Sequence, residues 1–275
     1  MDFDQMKQIV LNDKELKGIS VPDADIFKVY QYIKMRDNNE TIDGYLPKLK
    51  TEPYIEIVYV PTQAKRDSNL RAKLQRHLDY FDSDIYMQNC EIKDFEIFNK
   101  ERENVYNKAL DFLNNYTPDK FYKGLYIYGK YATGKTFLLS AIANELARRD
   151  VNVLFVFMPD LVRSIKTGIT EGDLESRINR LKQADVLMID DFGGENLTAW
   201  FRDEILLPII QYRLSARLPI FISSNLEMKQ LTDALAITNS DHDKTKAVRI
   251  VQRIIDLTTY VKLSEENFND KWLLA

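Results

Sequence analysis

Three short stretches carry the residue types from which phosphate chemistry can be built. Gly129-Lys130-Tyr131-Ala132-Thr133-Gly134-Lys135-Thr136 satisfies the pattern G-x-x-x-x-G-K-[ST] in full. Its glycines let the backbone bend until the N–H groups face a polyphosphate, and a helix starting there adds the positive end of its dipole. In such a loop Lys135 reaches the β- and γ-phosphate oxygens, and Thr136 offers its hydroxyl to Mg²⁺. A plain glycine turn with an exposed lysine is the competing reading, and the context weighs against it: an apolar strand precedes the loop and an amphipathic helix follows.

Val186-Leu187-Met188-Ile189-Asp190-Asp191 places two carboxylates at the tip of an apolar strand. Unpaired buried charge is costly, and a bound Mg²⁺ supplies a reason for it. Asp190 would hold the metal's shell, and Asp191 would orient the attacking water of a phosphoryl transfer. Phe221-Ile222-Ser223-Ser224-Asn225 is a further apolar strand that ends in polar residues. Asn225 is the candidate to hydrogen-bond that water or the γ-phosphate. By itself a turn asparagine is equally ordinary; its weight comes from the order along the chain.

These residues must sit on elements that converge. Leu125–Tyr128, Asn152–Phe157, Val186–Ile189 and Leu218–Ile222 read as short strands separated by helical patterns. The third is continuous in apolar residues, as a strand buried on both faces should be. Alternation of this kind predicts an α/β fold with a parallel sheet flanked by helices. A helix through Val105, Ala109, Leu110 and Leu113 precedes the first strand. Upstream, Ile26, Phe27, Tyr30 and Ile33 share a helical face, 54–60 reads as a strand ended by Pro61, and Leu70, Leu74, Leu78 and Phe81 make another helical stripe. The polar stretch 82–93 reads as a linker. The expected organisation is a small α+β domain over 1–81, the linker, and a nucleotide-binding domain over 94–275.

The 275 residues carry a net charge of −4, and neither half forms a basic arm or an acidic tail. Nucleic-acid contact would therefore need a local patch. Cys90 is the single cysteine, which excludes an intramolecular disulfide and a thiolate-rich zinc site. The acidic start lacks a signal-peptide pattern, and the longest apolar run, Val153–Met158, is far too short for a bilayer. A soluble cytoplasmic protein with no membrane partner is expected.

The order of loop, one strand, acidic strand and polar-tipped strand resembles the AAA+ ATPases. Within them KGLYIYGKYATGKTFLLSAIANELA, VLMIDDFGGENLTAWFRDEILLPIIQYRL, PIFISSN and KAVRIVQRI resemble the DnaI-type loaders of the bacterial replicative helicase. GYLPKL and IEIVYVP resemble that family's amino-terminal domain, and the DnaC-type loaders are more distant relatives. The resemblance implies an ATPase that uses ATP and Mg²⁺ to load a DnaB-type helicase hexamer onto single-stranded DNA during primosome assembly. It implies an amino-terminal domain that grips the helicase, and an ATP-dependent homo-oligomer in which Arg249, in KAVRIVQRI, completes a neighbour's site. Asp191 stands where fast AAA+ motors carry glutamate, which points to slow hydrolysis stimulated by partners. The alternative is a transposition-helper ATPase of the related IstB type; the GYLPKL…VYVP-like front favours the loader. Too few residues follow Arg253 for the duplex-binding domain of a DnaA-type initiator.

Two departures bear on cofactors. The segments 32–42 and 61–66, where DnaI proteins carry zinc-binding cysteines, contain none, and His77 and His242 cannot replace them. No zinc is expected. The tail from Ser264 to Trp272 carries carboxylates where the family has cations, so a second nucleotide sensor is unsupported, with Lys262 a remote candidate. Lys229, Lys244 and Lys246 are candidate pore cations, although solvated lysines are as ordinary.

Overall fold

The sequence alternates segments too short to fold alone, and their apolar residues find partners in two separate units. The structure, a computed structural model, describes residues 2–81, 90–195, 197–238 and 242–263. The chain divides into Met1–Ala72 and Lys73–Ala275.

The first unit has helices α1 (Phe3–Leu11) and α2 (Ile26–Asp37) and an antiparallel pair, β1 (Tyr45–Lys50) with β2 (Glu56–Pro61). Asp2 opens α1 with a capping box, its carboxylate accepting from the Gln5 N–H. Val10, Leu16, Ile26, Val29, Tyr32, Ile33 and Ile55 form its core. The buried face of α2 is therefore rotated from the one expected. Ile26 and Ile33 are inside, but Phe27 is exposed, Tyr30 is only partly covered, and Val29 and Tyr32 take the inner positions. The Arg36 guanidinium joins Asp13, Glu15 and Asp37, tying the loop after α1 to the end of α2.

α3 (Gln63–His77) runs across the division and leads into β3 (Leu78–Tyr80), α4 (Lys100–Asn115) and β4 (Gly124–Tyr128). The nucleotide loop follows, then α5 (Lys135–Arg148), β5 (Val153–Phe157), α6 (Met158–Glu171), α7 (Leu174–Gln183) and β6 (Val186–Asp190). A π-helical stretch over Phe201–Leu206 continues into α8 (Leu207–Ser215), before β7 (Ile220–Ser224), α9 (Met228–Ala236), α10 (Lys244–Leu257) and β8 (Thr258–Lys262). The six strands pair in the order β3-β5-β6-β7-β4-β8, and every pairing is parallel.

Period-two alternation assigns strand residues to opposite faces. Tyr126, Leu154, Val156, Leu187, Ile189, Ile220 and Ile222 pack with α6 to α10. Leu125, Ile127, Val153, Phe155, Val186, Met188 and Phe221 pack with α4, α5 and the end of α3. Gly124 is needed where β4 passes β7, since a Cβ there would lie 1.9 Å from the Ile220 carbonyl oxygen.

Two organisational expectations change. Leu78–Tyr80 is strand rather than helix and pairs with β5, so the expected boundary at Phe81 falls inside the second unit. The linker 82–93 lies largely outside the described residues. Its end does not behave as linker, because Cys90 is buried and its carbonyl accepts from the buried Asn144 Nδ2 at 3.0 Å. The segment 264–272 lies outside the described residues.

Candidate functional site

The carboxyl ends of β4, β6 and β7 meet around a cavity of about 550 Å³. That size is typical of small-molecule sites, and the end of a parallel sheet is where they form. The loop after β4 is shaped by Gly129, Ala132 and Gly134 at φ of 153°, 57° and 95°. Gly134 is the residue before α5, so the loop hands directly into a helix amino terminus.

Lys135 is buried beneath its own loop. Its ammonium donates to the Gly129 carbonyl at 2.9 Å, the Lys130 carbonyl at 2.6 Å and Asn225 Oδ1 at 2.9 Å. Burial pulls its pKa down, against the attraction of Asp190 and Asp191. The Thr136 hydroxyl lies 2.9 and 3.1 Å from the two oxygens of Asp190. Asp190 also accepts from the Ser223 hydroxyl. Burial raises the Asp190 pKa, while the Ser223 and Thr136 hydroxyls oppose that rise by hydrogen-bonding the carboxylate.

Asp191 leaves β6 in the left-handed region, φ 56°, with its N–H donated to Ser223 Oγ at 3.0 Å. Its carboxylate accepts from Asn225 Nδ2 at 2.9 Å. Asn225 thus bridges Lys135 and Asp191 with the two ends of one amide. Ser224 supports this strand end from behind, its hydroxyl donating to the Phe192 carbonyl at 2.6 Å and accepting from the Leu226 N–H.

The structure therefore brings Lys135, Thr136, Asp190, Asp191 and Asn225 together, with Tyr131, Ala132, Thr133 and Gly134 along the same cavity. Gly129 and Lys130 contribute carbonyls to Lys135. Arg249 is elsewhere, exposed on α10. Lys262 is paired with Glu101 at 3.0 Å. Of the proposed pore cations, Lys246 is bound to Asp203 at 2.7 Å and Lys244 to Asp233 at 3.3 Å, while Lys229 is exposed.

Residues that no sequence motif marks complete the walls. Ser223 touches both members of the acidic pair; its one signal in the sequence is its place in the polar end of the run 221–225. Phe95, Phe137 and Phe157 line the cavity with Arg102. Arg102 sits in a run of charged residues that reads as a solvated helix start.

The donor set fits Mg²⁺. A hydroxyl and a carboxylate supply hard oxygen ligands, and Mg²⁺ is ordinarily held by one or two protein groups with substrate phosphates and water. The loop and cavity fit a nucleotide polyphosphate.

A parallel sheet flanked by helices, with this loop and acidic strand at its carboxyl edge, defines a P-loop ATP-binding protein of the AAA+ type. The chain belongs to the IstB-like ATP binding protein family, whose profile matches residues 86–272. It is 31% identical over 289 residues to the replicative helicase loader DnaI of Bacillus subtilis (strain 168), covering 96% of this chain and 92% of that protein. It is 26% identical to the replicative helicase loader DnaC of Escherichia coli (strain K12), covering 64% of this chain and 71% of the relative. A crystal structure of DnaI superposes with a TM-score of 0.63 at 34% identity, covering 71% of this chain and 98% of that one.

Proposed function

We propose that this protein is an ATP-dependent loader of a DnaB-type replicative helicase hexamer onto single-stranded DNA in primosome assembly. What supports the reading is likeness to a helicase loader over 96% of the chain, front unit included. The IstB-like family match begins at residue 86 and leaves that front unit out, so it does not favour a transposition helper. The unit Met1–Ala72 grips the helicase, and its apolar core and Arg36 cluster hold it without zinc. No helix among the described residues is long and apolar enough to cross a membrane, and the protein works in the cytoplasm.

The residues divide the work of hydrolysis. The loop N–H groups and Lys135 bind phosphate, and Thr136 and Asp190 would hold Mg²⁺, which would supply positive charge to the phosphates. Asp191 orients water, and Asn225 places Asp191 and senses the γ-phosphate. Asn225 joins Lys135 to Asp191, one end of its amide to each. Arg249 acts on a neighbouring copy, so an isolated subunit turns over slowly. ATP then times release of the helicase and does not drive continuous work. Turnover of wild type and Arg249→Ala, each with and without helicase and single-stranded DNA, tests this. Stimulation in wild type alone is expected; equal stimulation in both removes Arg249 from the site, and fast turnover by dilute wild type removes the timing role.

A further inference from the structure

Arg102, in the first turn of α4, is buried to 2% exposure, although it is one of the largest polar side chains in the unit. Its guanidinium carbon lies 4.0 Å from the centroid of the Phe95 ring and 4.6 Å from that of Phe98. Nε donates to the Glu96 carbonyl, and Nη1 donates to the Thr133 carbonyl at 2.7 Å. One side chain thus straps the segment before α4 to the middle of the phosphate loop.

The attachment point matters because of where Thr133 stands. It is fully buried between Ala132 and Gly134, both in the left-handed region at φ 57° and 95°. An alanine there is strained by about 1 kcal/mol or more and stays only if something holds it. In a trans peptide the carbonyl and the next N–H point in opposite directions. Holding the Thr133 carbonyl against Arg102 therefore turns the Gly134 N–H away from Arg102, and that N–H is one of the donors this kind of loop offers to phosphate. The connection continues to the lysine. Thr133 Oγ1 donates to the Lys130 carbonyl at 3.1 Å, and the same carbonyl accepts from Lys135 Nζ at 2.6 Å.

We propose that Arg102 is a positioning residue for nucleotide: it sets the Thr133–Gly134 peptide so that the loop is shaped for phosphate before ligand arrives. The proposal rests on the nucleotide-site reading above and adds to it a group that holds the phosphate loop by a backbone carbonyl. Both donation and positive charge matter. A lysine keeps a charged donor for the Thr133 carbonyl, whereas glutamine offers only a neutral, weaker one.

The test compares ATP, tripolyphosphate and adenosine binding in full-length wild type, Arg102→Lys and Arg102→Gln, with circular dichroism and melting on each sample. Arg102→Gln should bind ATP and tripolyphosphate about tenfold more weakly or worse, with adenosine unchanged, while Arg102→Lys stays within about threefold of wild type. A folded Arg102→Gln within about threefold for ATP overturns the proposal, as does equal weakness of the Lys and Gln variants. If Arg102→Gln does not fold, the Gly134 amide resonance decides. It should respond to tripolyphosphate in wild type and, with the Thr133 carbonyl still held, in Arg102→Lys; a wild-type Gly134 resonance that tripolyphosphate leaves unmoved overturns the proposal. Failure of wild type itself to bind ATP would instead remove the nucleotide-site reading.

Discussion

Replacing Lys135 with methionine separates ligand binding from folding. The ammonium satisfies the Gly129 and Lys130 carbonyls and Asn225 Oδ1, at 2.9, 2.6 and 2.9 Å. Asn225 borders the cavity of about 550 Å³ and Lys130 is exposed, so water can take over the bonds lost at those two acceptors. The methionine variant also removes a charge whose pKa burial has already lowered. The two effects oppose each other, so the fold should change by no more than about 1 kcal/mol, a melting shift below about 4 °C for a domain of this size. Binding behaves differently. A charge-assisted hydrogen bond to phosphate is worth about 1.5–3 kcal/mol. Even if breaking the three existing bonds cancels all but one of those gained, about 2 kcal/mol is lost, or about 30-fold in Kd. Titration with a fluorescent ATP analogue, with melting recorded on the same sample, gives both numbers. Affinity within about threefold of wild type in a folded variant would refute the placement of Lys135 on phosphate. A melting drop beyond about 10 °C would show that the lysine belongs to the core's energetics instead.

Asp190→Asn should abolish Mg²⁺-dependent ATP binding yet leave the Mg²⁺-free chain as stable as wild type or more so, because it deletes a carboxylate that burial disfavours as an anion. Folding raises that carboxyl's proton affinity, so wild type without Mg²⁺ should gain stability as pH falls from neutral toward the ordinary carboxylate range; thermal melts across pH follow it. Arg213 is buried and donates to the carbonyls of Leu181, Lys182, Ala184, Asp185 and Pro219. Arg213→Met should therefore cost about 3 kcal/mol or more in a urea unfolding curve, and a loss under about 1 kcal/mol would contradict the clamp. In the first unit, Arg36→Ala should weaken amide-exchange protection of Val10 and Ile33 by about 1 kcal/mol, whereas a chelator should leave it unchanged; a stoichiometric zinc found by elemental analysis would contradict a unit held by its core and ion cluster.

The strands that carry the site were legible because a parallel sheet buried on both faces writes itself as short continuous apolar runs, and the loop because its glycines and Lys135-Thr136 stand at fixed spacing. What escaped reading depended on partners distant in the chain. Leu70, Leu74, Leu78 and Phe81 keep helical spacing, yet α3 stops at His77 because 78–80 finds an edge position beside β5. Thr258–Lys262 has too little pattern to announce a strand, and it is pairing with β4 that makes it one. On α2 a helical face through Phe27 and a face through Val29 were equally periodic; the antiparallel pair and Leu16 decide which is covered. Arg102 was invisible for the same reason. Among charged neighbours nothing local marks the one side chain that the phosphate loop draws inside.

The central claim is that a nucleotide site and a helicase-gripping front unit work as one loader. The most direct measurement is assembly of a replicative helicase on closed circular single-stranded DNA, read as strand displacement from a primed circle. Wild-type chain with ATP should raise loaded helicase well above the helicase-only level, and Lys135→Met should not, although both bind the helicase. Loading by Lys135→Met equal to wild type, or no gain with wild type despite helicase binding, would contradict the account.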